Sequence, residues 1–329
     1  MSGILLLMFA AASAELARSK SARQPSQDFQ RARQRLPSWK ESFPPRDLVL
    51  NLSDPLNGQK VASWLREHQP PMKQADPTLT EREKVLARMS AQEYIAARKA
   101  NTVSCLEYAS ALVKRMIYYK YMNQFMYWDS FPQQTEYILA QAKALDSKAE
   151  AEGVEGIAPL YGLLMPAKGT MATTDFPSSA GSGLLHYDYA KADAAAVTLL
   201  RRAHAVIMGK TNVPEFADSY VTANYANGRA LNPYDHGLTT GGSSGGSASA
   251  VATYLTPVAL TEDTGGSTRH PAYQCQNFGY DPSHTHFPNE GNPGLTYFYD
   301  QVGLNARSLS DVLTVDAALL STQREHKEA

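Results

Sequence analysis

Residues 241–271, GGSSGGSASAVATYLTPVALTEDTGGSTRHP, leave this chain few ways to fold. Two Gly-Gly-Ser corners bound the stretch. Gly241-Gly242-Ser243-Ser244-Gly245-Gly246-Ser247 opens it, and Thr264-Gly265-Gly266-Ser267 closes it. Between them, residues 248–254 suit a helix and residues 256–261 form an apolar run of strand length. Glycines frame hydroxyls where the backbone takes φ > 0 or comes close to a ligand. The second corner reads as strand, Gly-Gly, then Ser267, where a helix could begin. Free N–H groups and a positive dipole end there would face a developing oxyanion.

Two rival readings fail on the residues. A flexible Gly/Ser linker is not followed at once by a buried-looking strand and a second corner flanked by Asp263 and Arg269. A phosphate loop needs a Gly-Lys-Thr/Ser ending, which neither corner carries. Gly209-Lys210-Thr211 has the ending, but His204 stands where that motif needs its first glycine.

Upstream, helical and strand patterns alternate. Ser90-Ala91-Gln92-Glu93 resembles a capping box. Residues 104–123 place Leu106, Ala109, Leu112, Val113, Met116 and Ile117 at helical spacing. The aromatic run Tyr118, Tyr119, Tyr121, Phe125, Tyr127 and Trp128 is expected to pack between helix and sheet. Residues 134–152 read as a surface helix, 157–167 as an apolar strand ending at Lys168, 188–203 as an amphipathic helix and 205–208 as a buried strand. Helices alternating with apolar strands predict an α/β fold, a mixed β-sheet covered by helices on both faces.

Composition excludes several function classes. With 31 basic and 32 acidic residues among 329, the net charge of −1 gives no support for nucleic-acid binding. Cys105 and Cys275 are too few for a disulfide framework and lack metal-ligand spacing. His284 and His286 would share a strand face near His270, but no carboxylate or cysteine completes a ligand set, so a surface loop after Pro282 is expected and no metal. Residues 4–12 are apolar and end at Ala12-Ser13-Ala14, a signal peptide pattern over 1–14 that implies secretion. The run is too short to span a membrane. Residues 15–79 read as a basic arm containing the sequon at Asn51, and residues 80–329 as one domain. An organelle address is the other reading of the Arg- and Ser-rich residues 18–35, and a cytoplasmic location stays open.

Residues 241–271 resemble the core of the amidase signature enzymes, which hydrolyse amides through a Ser–cis-Ser–Lys triad. The resemblance extends over 162–320. It includes Gly-Lys-Thr-Asn-Val-Pro-Glu-Phe beginning at Gly209 and Asp-Gln-Val-Gly beginning at Asp300. It implies Ser267 as nucleophile, Ser243 as the bridging cis-serine and Lys168 as the base. The residues support this independently, because a lysine closing an apolar strand is desolvated and its proton affinity falls. The oxyanion is expected on the backbone N–H groups of Thr264, Gly265, Gly266 and Ser267. Ser244 is expected to orient the relay through its hydroxyl, and Asp263 and Arg269 to brace the corner. Lys210, Asn212 and Glu215 are expected to cap the structure behind the site, with Cys275 as core filler.

The resemblance implies a small-molecule, lipid or peptide amide as substrate, with no metal or organic cofactor. Departures are Gly169 after Lys168, where many relatives carry an acid, His270 before Pro271, and Tyr280-Asp281-Pro282. Relatives continue beyond the position of Leu320, so a shortened sheet with an open edge is expected. Two alternatives follow: a non-catalytic remnant that acts by binding, and a glutaminase-type component of an aminoacyl-tRNA amidotransferase, which would need partner subunits.

Overall fold

A computed structural model of the chain describes residues 79–126, 131–153 and 158–328. The signal peptide, all but the last residue of the arm, the sequon at Asn51, Tyr127 and Trp128 lie outside the described residues.

The domain is built on a five-stranded mixed sheet. Its strands are β1 (Leu164–Lys168), β2 (Val206–Thr211), β5 (Val258–Asp263), β6 (Phe278–Tyr280) and β7 (Gln301–Ala306), in the order β2-β1-β5-β7-β6. β1 runs parallel to both β2 and β5, whereas β5–β7 and β7–β6 are antiparallel. Strands β3 (Ala223–Asn224) and β4 (Gly228–Arg229) form a separate two-stranded ladder. Every residue of β1, β2 and β5 is buried. Strands covered on both faces read as continuous apolar runs rather than alternating ones, which is why these segments stood out in sequence.

Helices flank this sheet. α1 (Glu81–Arg88) and α2 (Ala91–Lys99) each begin with a capping box, Thr80 with Glu83 and Ser90 with Glu93. α3 (Cys105–Tyr118) is capped by Ser104 and buries Ala109, Leu112, Val113 and Met116, while Ile117 stands exposed at the edge of the expected apolar stripe. α4 (Phe131–Glu152) lies against β2. The described aromatics of the expected run pack as core, with Tyr119, Tyr121 and Phe125 all buried.

One helix is shorter than its pattern predicts. α5 spans only Ala195–Arg202, not 188–203. Tertiary bonds claim the expected first turns. Asp193 accepts from Thr174 N at 2.8 Å and from Arg201 Nε at 2.7 Å, Ala194 N donates to Ala172 O and Ala195 N to Glu290 O. Backbone donors held by neighbouring loops are not available to begin a helix earlier.

α6 (Gly245–Ala252) is buried along its whole length against β1, β2, β5 and β7. α7 (Arg269–Gln274) starts two residues beyond Ser267 rather than at it. α8 (Leu309–Glu328) packs on β5, β6 and β7. Among the described residues, no helix is long and apolar enough to cross a membrane.

The glycines of the first corner are packed rather than flexible. A Cβ on Gly246 would lie 2.4 Å from Asn212 N and 2.5 Å from Gln124 O, both backbone atoms that cannot step aside. Exchanging glycine for alanine inside an ordinary helix gains about 1 kcal/mol. At Gly246 the sign should reverse, with Gly246→Ala lowering stability by about 1–3 kcal/mol through overpacking, read as a fall in the urea midpoint.

Candidate active site

The topology brings the two halves of the site together. β1 and β5 are parallel neighbours, so their C-terminal ends open on the same edge of the sheet, where ligands of such sheets bind. Lys168 is the last residue of β1, and Asp263 the last of β5 before the second corner. The first corner enters α6, which packs on the same strands.

Lys168 is 1% exposed. Its Nζ donates to Ser243 Oγ at 2.8 Å and to Glu262 O at 3.0 Å. Burial pushes its ammonium below the ordinary lysine range, opposed by the carboxylates of Glu262, Asp263 and Asp300. The Glu262 carboxylate stands 4.0 Å from Nζ and is itself 3% exposed. Gly169 leaves no room for an acid beside Lys168, because a Cβ there would meet Met126 Cε at 2.3 Å and Thr211 O at 2.7 Å. The carboxylate next to this lysine comes from β5 instead.

The first corner is held by its neighbours. The Gly242–Ser243 peptide bond is cis. A side chain at Gly242 would collide with Ser219 O at 2.4 Å, so only glycine fits. Thr222 Oγ1 donates to Gly241 O at 2.8 Å and accepts from Gly245 N at 3.0 Å, fixing both ends of the turn. Ser244 N donates to Ser267 O at 3.2 Å and ties the two corners together.

That bond revises the part expected of Ser244. Its Oγ is buried without a hydrogen-bond partner among the described residues, and its backbone N–H is what joins the corners. Lys168 Nζ makes its contacts with Ser243 and Glu262 instead.

The second corner is braced from below. Asp263 Oδ1 accepts from Gly266 N at 2.6 Å, and Oδ2 accepts from Thr268 N at 2.9 Å. Arg269 closes on the same carboxylate through Nη2 at 3.0 Å and Nε at 3.2 Å, and reaches Asp281 at 2.9 Å. Burial opposes the Asp263 charge, but the Arg269 guanidinium and the N–H groups of Thr268 and Gly266 hold its carboxyl below the usual range. The expected Asp263–Arg269 pair is therefore present as a brace.

The brace also changes the oxyanion reading. Gly266 N–H is engaged by Asp263 and is a structural donor in this arrangement. The N–H groups of Thr264, Gly265 and Ser267 donate to no other described residue. Ser267 is 7% exposed, and its hydroxyl makes no hydrogen bond to a described residue.

Two of three further side chains at the site escaped sequence reasoning. Asp300 Oδ1 accepts from Thr264 Oγ1 at 2.5 Å, Tyr220 OH donates to Gly265 O at 2.8 Å, and Thr170 Oγ1 donates to Glu262 Oε2 at 2.6 Å. Only the Asp-Gln-Val-Gly run marked one of them in advance.

Behind the site, Lys210 is buried and donates to Met171 O and, at 3.4 Å, to Thr173 Oγ1. Asn212 bridges Asn123 O at 3.0 Å and Gly228 O at 3.2 Å. Glu215 is exposed in a short 3-10 turn and caps no other described residue. His286 pairs with Asp316 at 2.6 Å, and no group of three or more metal-ligating side chains occurs among the described residues. Cys275 is buried, as a core residue should be.

The family model described as Amidase matches residues 126–329. Over 222 residues the chain is 39% identical to a glutamyl-tRNA(Gln) amidotransferase component from Burkholderia thailandensis, covering 68% of this chain and 43% of that protein. It is 37% identical over 175 residues to the chloroplastic/mitochondrial counterpart from Oryza sativa subsp. indica, covering 53% of this chain and 32% of that one. Among solved structures, native peptide amidase from Stenotrophomonas maltophilia matches with a TM-score of 0.64 and 28% identity, over 70% of this chain and 48% of that chain. The chain thus spans about a third to a half of the length of these relatives.

Burial pushes the Lys210 ammonium down to about 7, against about 10.4 in an unfolded chain. Between those values the unfolded chain holds a proton that the folded one lacks, so raising the pH favours the fold. The stability of wild type relative to Lys210→Met should therefore increase from about pH 7 to about pH 10, by up to about 1.4 kcal/mol per pH unit. Urea unfolding of both proteins across that range measures it.

Proposed function

We propose, from the premise that this chain belongs to the amidase family, that it hydrolyses a carboxamide by acyl transfer through Ser267. The observation that carries the reading is the buried 2.8 Å contact between Lys168 Nζ, at the end of β1, and Ser243 Oγ, in the first corner, formed by residues 75 positions apart.

In this reading Ser267 Oγ attacks the carbonyl carbon and passes its proton to Ser243. Ser243 gives its own proton to Lys168 in the same movement. Desolvation keeps the lysine amine able to accept it. The developing oxyanion is met by the N–H groups of Thr264, Gly265 and Ser267, one such donor being worth about 3 kcal/mol. The C–N bond then breaks, and the proton returns from Lys168 through Ser243 to the leaving amine. Water attacks the acyl-enzyme by the same route in reverse, releasing a carboxylic acid and restoring Ser267. A relay that is loose without substrate and tightens around it is the ordinary behaviour of such sites. Small-molecule, peptide and lipid amides all suit this chemistry.

A second reading rests on the relatives named as amidotransferase components. There the same site would release ammonia from an amide donor within an assembly of partner subunits. Co-purification with such partners favours it, and turnover of free amides by the isolated chain favours the first.

The test is a fluorophosphonate probe together with a panel of aliphatic, aryl and fatty amides. Wild type should be labelled at Ser267. Ser267→Ala and Lys168→Ala should each lose at least about 10³-fold in turnover near neutral pH. Unaltered turnover in Lys168→Ala, or labelling that persists in Ser267→Ala, overturns the reading.

A further inference from the structure

The carboxylate of Glu262 stands beside Lys168 and is used by neither the proposed reaction nor the corner brace. It lies on β5, 3% exposed, with Oε2 4.0 Å from Lys168 Nζ. Its backbone carbonyl accepts from the same Nζ at 3.0 Å, so the residue meets the lysine twice. Thr170, just beyond Lys168 on the chain, donates its hydroxyl to Glu262 Oε2 at 2.6 Å and fixes the carboxylate in that orientation. A buried acid is costly unless it faces a partner of opposite charge.

We propose that Glu262 is a positioning residue that acts through Lys168, holding its amine towards Ser243 and stabilising the ammonium that forms when the serine proton arrives. The inference rests on Lys168 being the base. Each transfer from Ser267 through Ser243 creates a positive charge on Nζ in a buried site. A fixed carboxylate about 4 Å away favours the charged form of a lysine.

The other groups facing Lys168 are differently engaged. Asp263 is held by Arg269 and by three backbone N–H groups. Asp300 accepts from Thr264 Oγ1 and Thr296 N. Ser243 is the relay itself. Glu262 has the Thr170 hydroxyl and the lysine as its side-chain partners among the described residues, so Lys168 is the cation its carboxylate faces. Burial lowers the proton affinity of Lys168, and Glu262 is the first of the groups that oppose this.

The experiment measures the rate constant for fluorophosphonate labelling of the full chain against pH, in wild type, Glu262→Gln, Thr170→Val and the double variant. Glutamine keeps the shape and can still accept from Thr170, but carries no charge. The acid limb of the profile, where Lys168 must lose its proton, should move down by about one pH unit or more in Glu262→Gln. The plateau should fall about tenfold, as expected for a weaker base. Thr170→Val should shift the limb the same way by less, and the double variant should match Glu262→Gln alone.

An acid limb that stays at its wild-type position in folded Glu262→Gln overturns the inference, even where Lys168→Ala is inactive. If Glu262→Gln fails to fold, the decision passes to Thr170→Val, whose unshifted limb overturns it equally. Full labelling of Lys168→Ala would instead defeat the functional reading beneath it, so the two failures are distinguishable.

Discussion

The site depends on one lysine amine being dry and yet not alone. In the proposed reaction this lysine takes a proton from a hydroxyl, and burial favours that by penalising the ammonium. An amine buried without partners would cost several kcal/mol and the chain would expel it. Lys168 resolves this with one hydroxyl, Ser243 Oγ, and one carbonyl, Glu262 O. The hydroxyl comes from the turn into α6 and the carbonyl from the neighbouring strand. Three elements must therefore meet within hydrogen-bond distance, and much of the surrounding packing follows from that demand.

Close approach is what the small residues supply. α6 reads GGSASAVA, with no side chain larger than valine, and it is buried throughout. Its hydroxyls would be unsatisfied in an apolar layer, but they find partners across the interface. Ser247 meets Thr211 at 2.6 Å, and Ser249 donates to Leu231 O at 2.8 Å. Larger residues would lift the helix off the sheet and carry Ser243 out of reach of Lys168. The glycines are thus a packing requirement first, and their conformational freedom matters at few places.

The parts of this arrangement that could be read in the sequence are those with local causes. The buried strands β1, β2 and β5 stood out as apolar runs, the capping box at Ser90 lay in four residues, and the two Gly-Gly-Ser corners marked where the chain turns tightly. What could not be read has distant causes. The late start of α5 follows from contacts with residues 172, 174 and 290, none of which its own pattern encodes. Glu262 follows the apolar run at 256–261 with nothing local to mark it, and only the pairing of β1 with β5 sets its carboxylate against Lys168. Tyr220 and Thr222 lie in a loop with no motif of its own, whose value is visible once Gly265 and Gly241 are beside it. The Gly266 N–H was assigned to the oxyanion on position alone, whereas the Asp263 carboxylate, three residues earlier, claims it.

Two buried lysines stand on adjacent strands, and comparing them shows what the proposed reading asks of a base. Lys168 is in register with Thr211, and Lys210 with Ala167, so the two side chains leave opposite faces of the sheet. Burial lowers the proton affinity of both. On one face Lys210 meets a backbone carbonyl and a threonine hydroxyl that serve only to hold the turn after β1. On the other, Lys168 meets a serine whose own loop is tied to Ser267 by the Ser244 N–H. A depressed proton affinity is therefore a general consequence of being inside, shared by Lys210 and by the lysine of the proposed relay. What separates them is whether the next hydroxyl leads towards a nucleophile, and that is decided by strand register and not by the lysine.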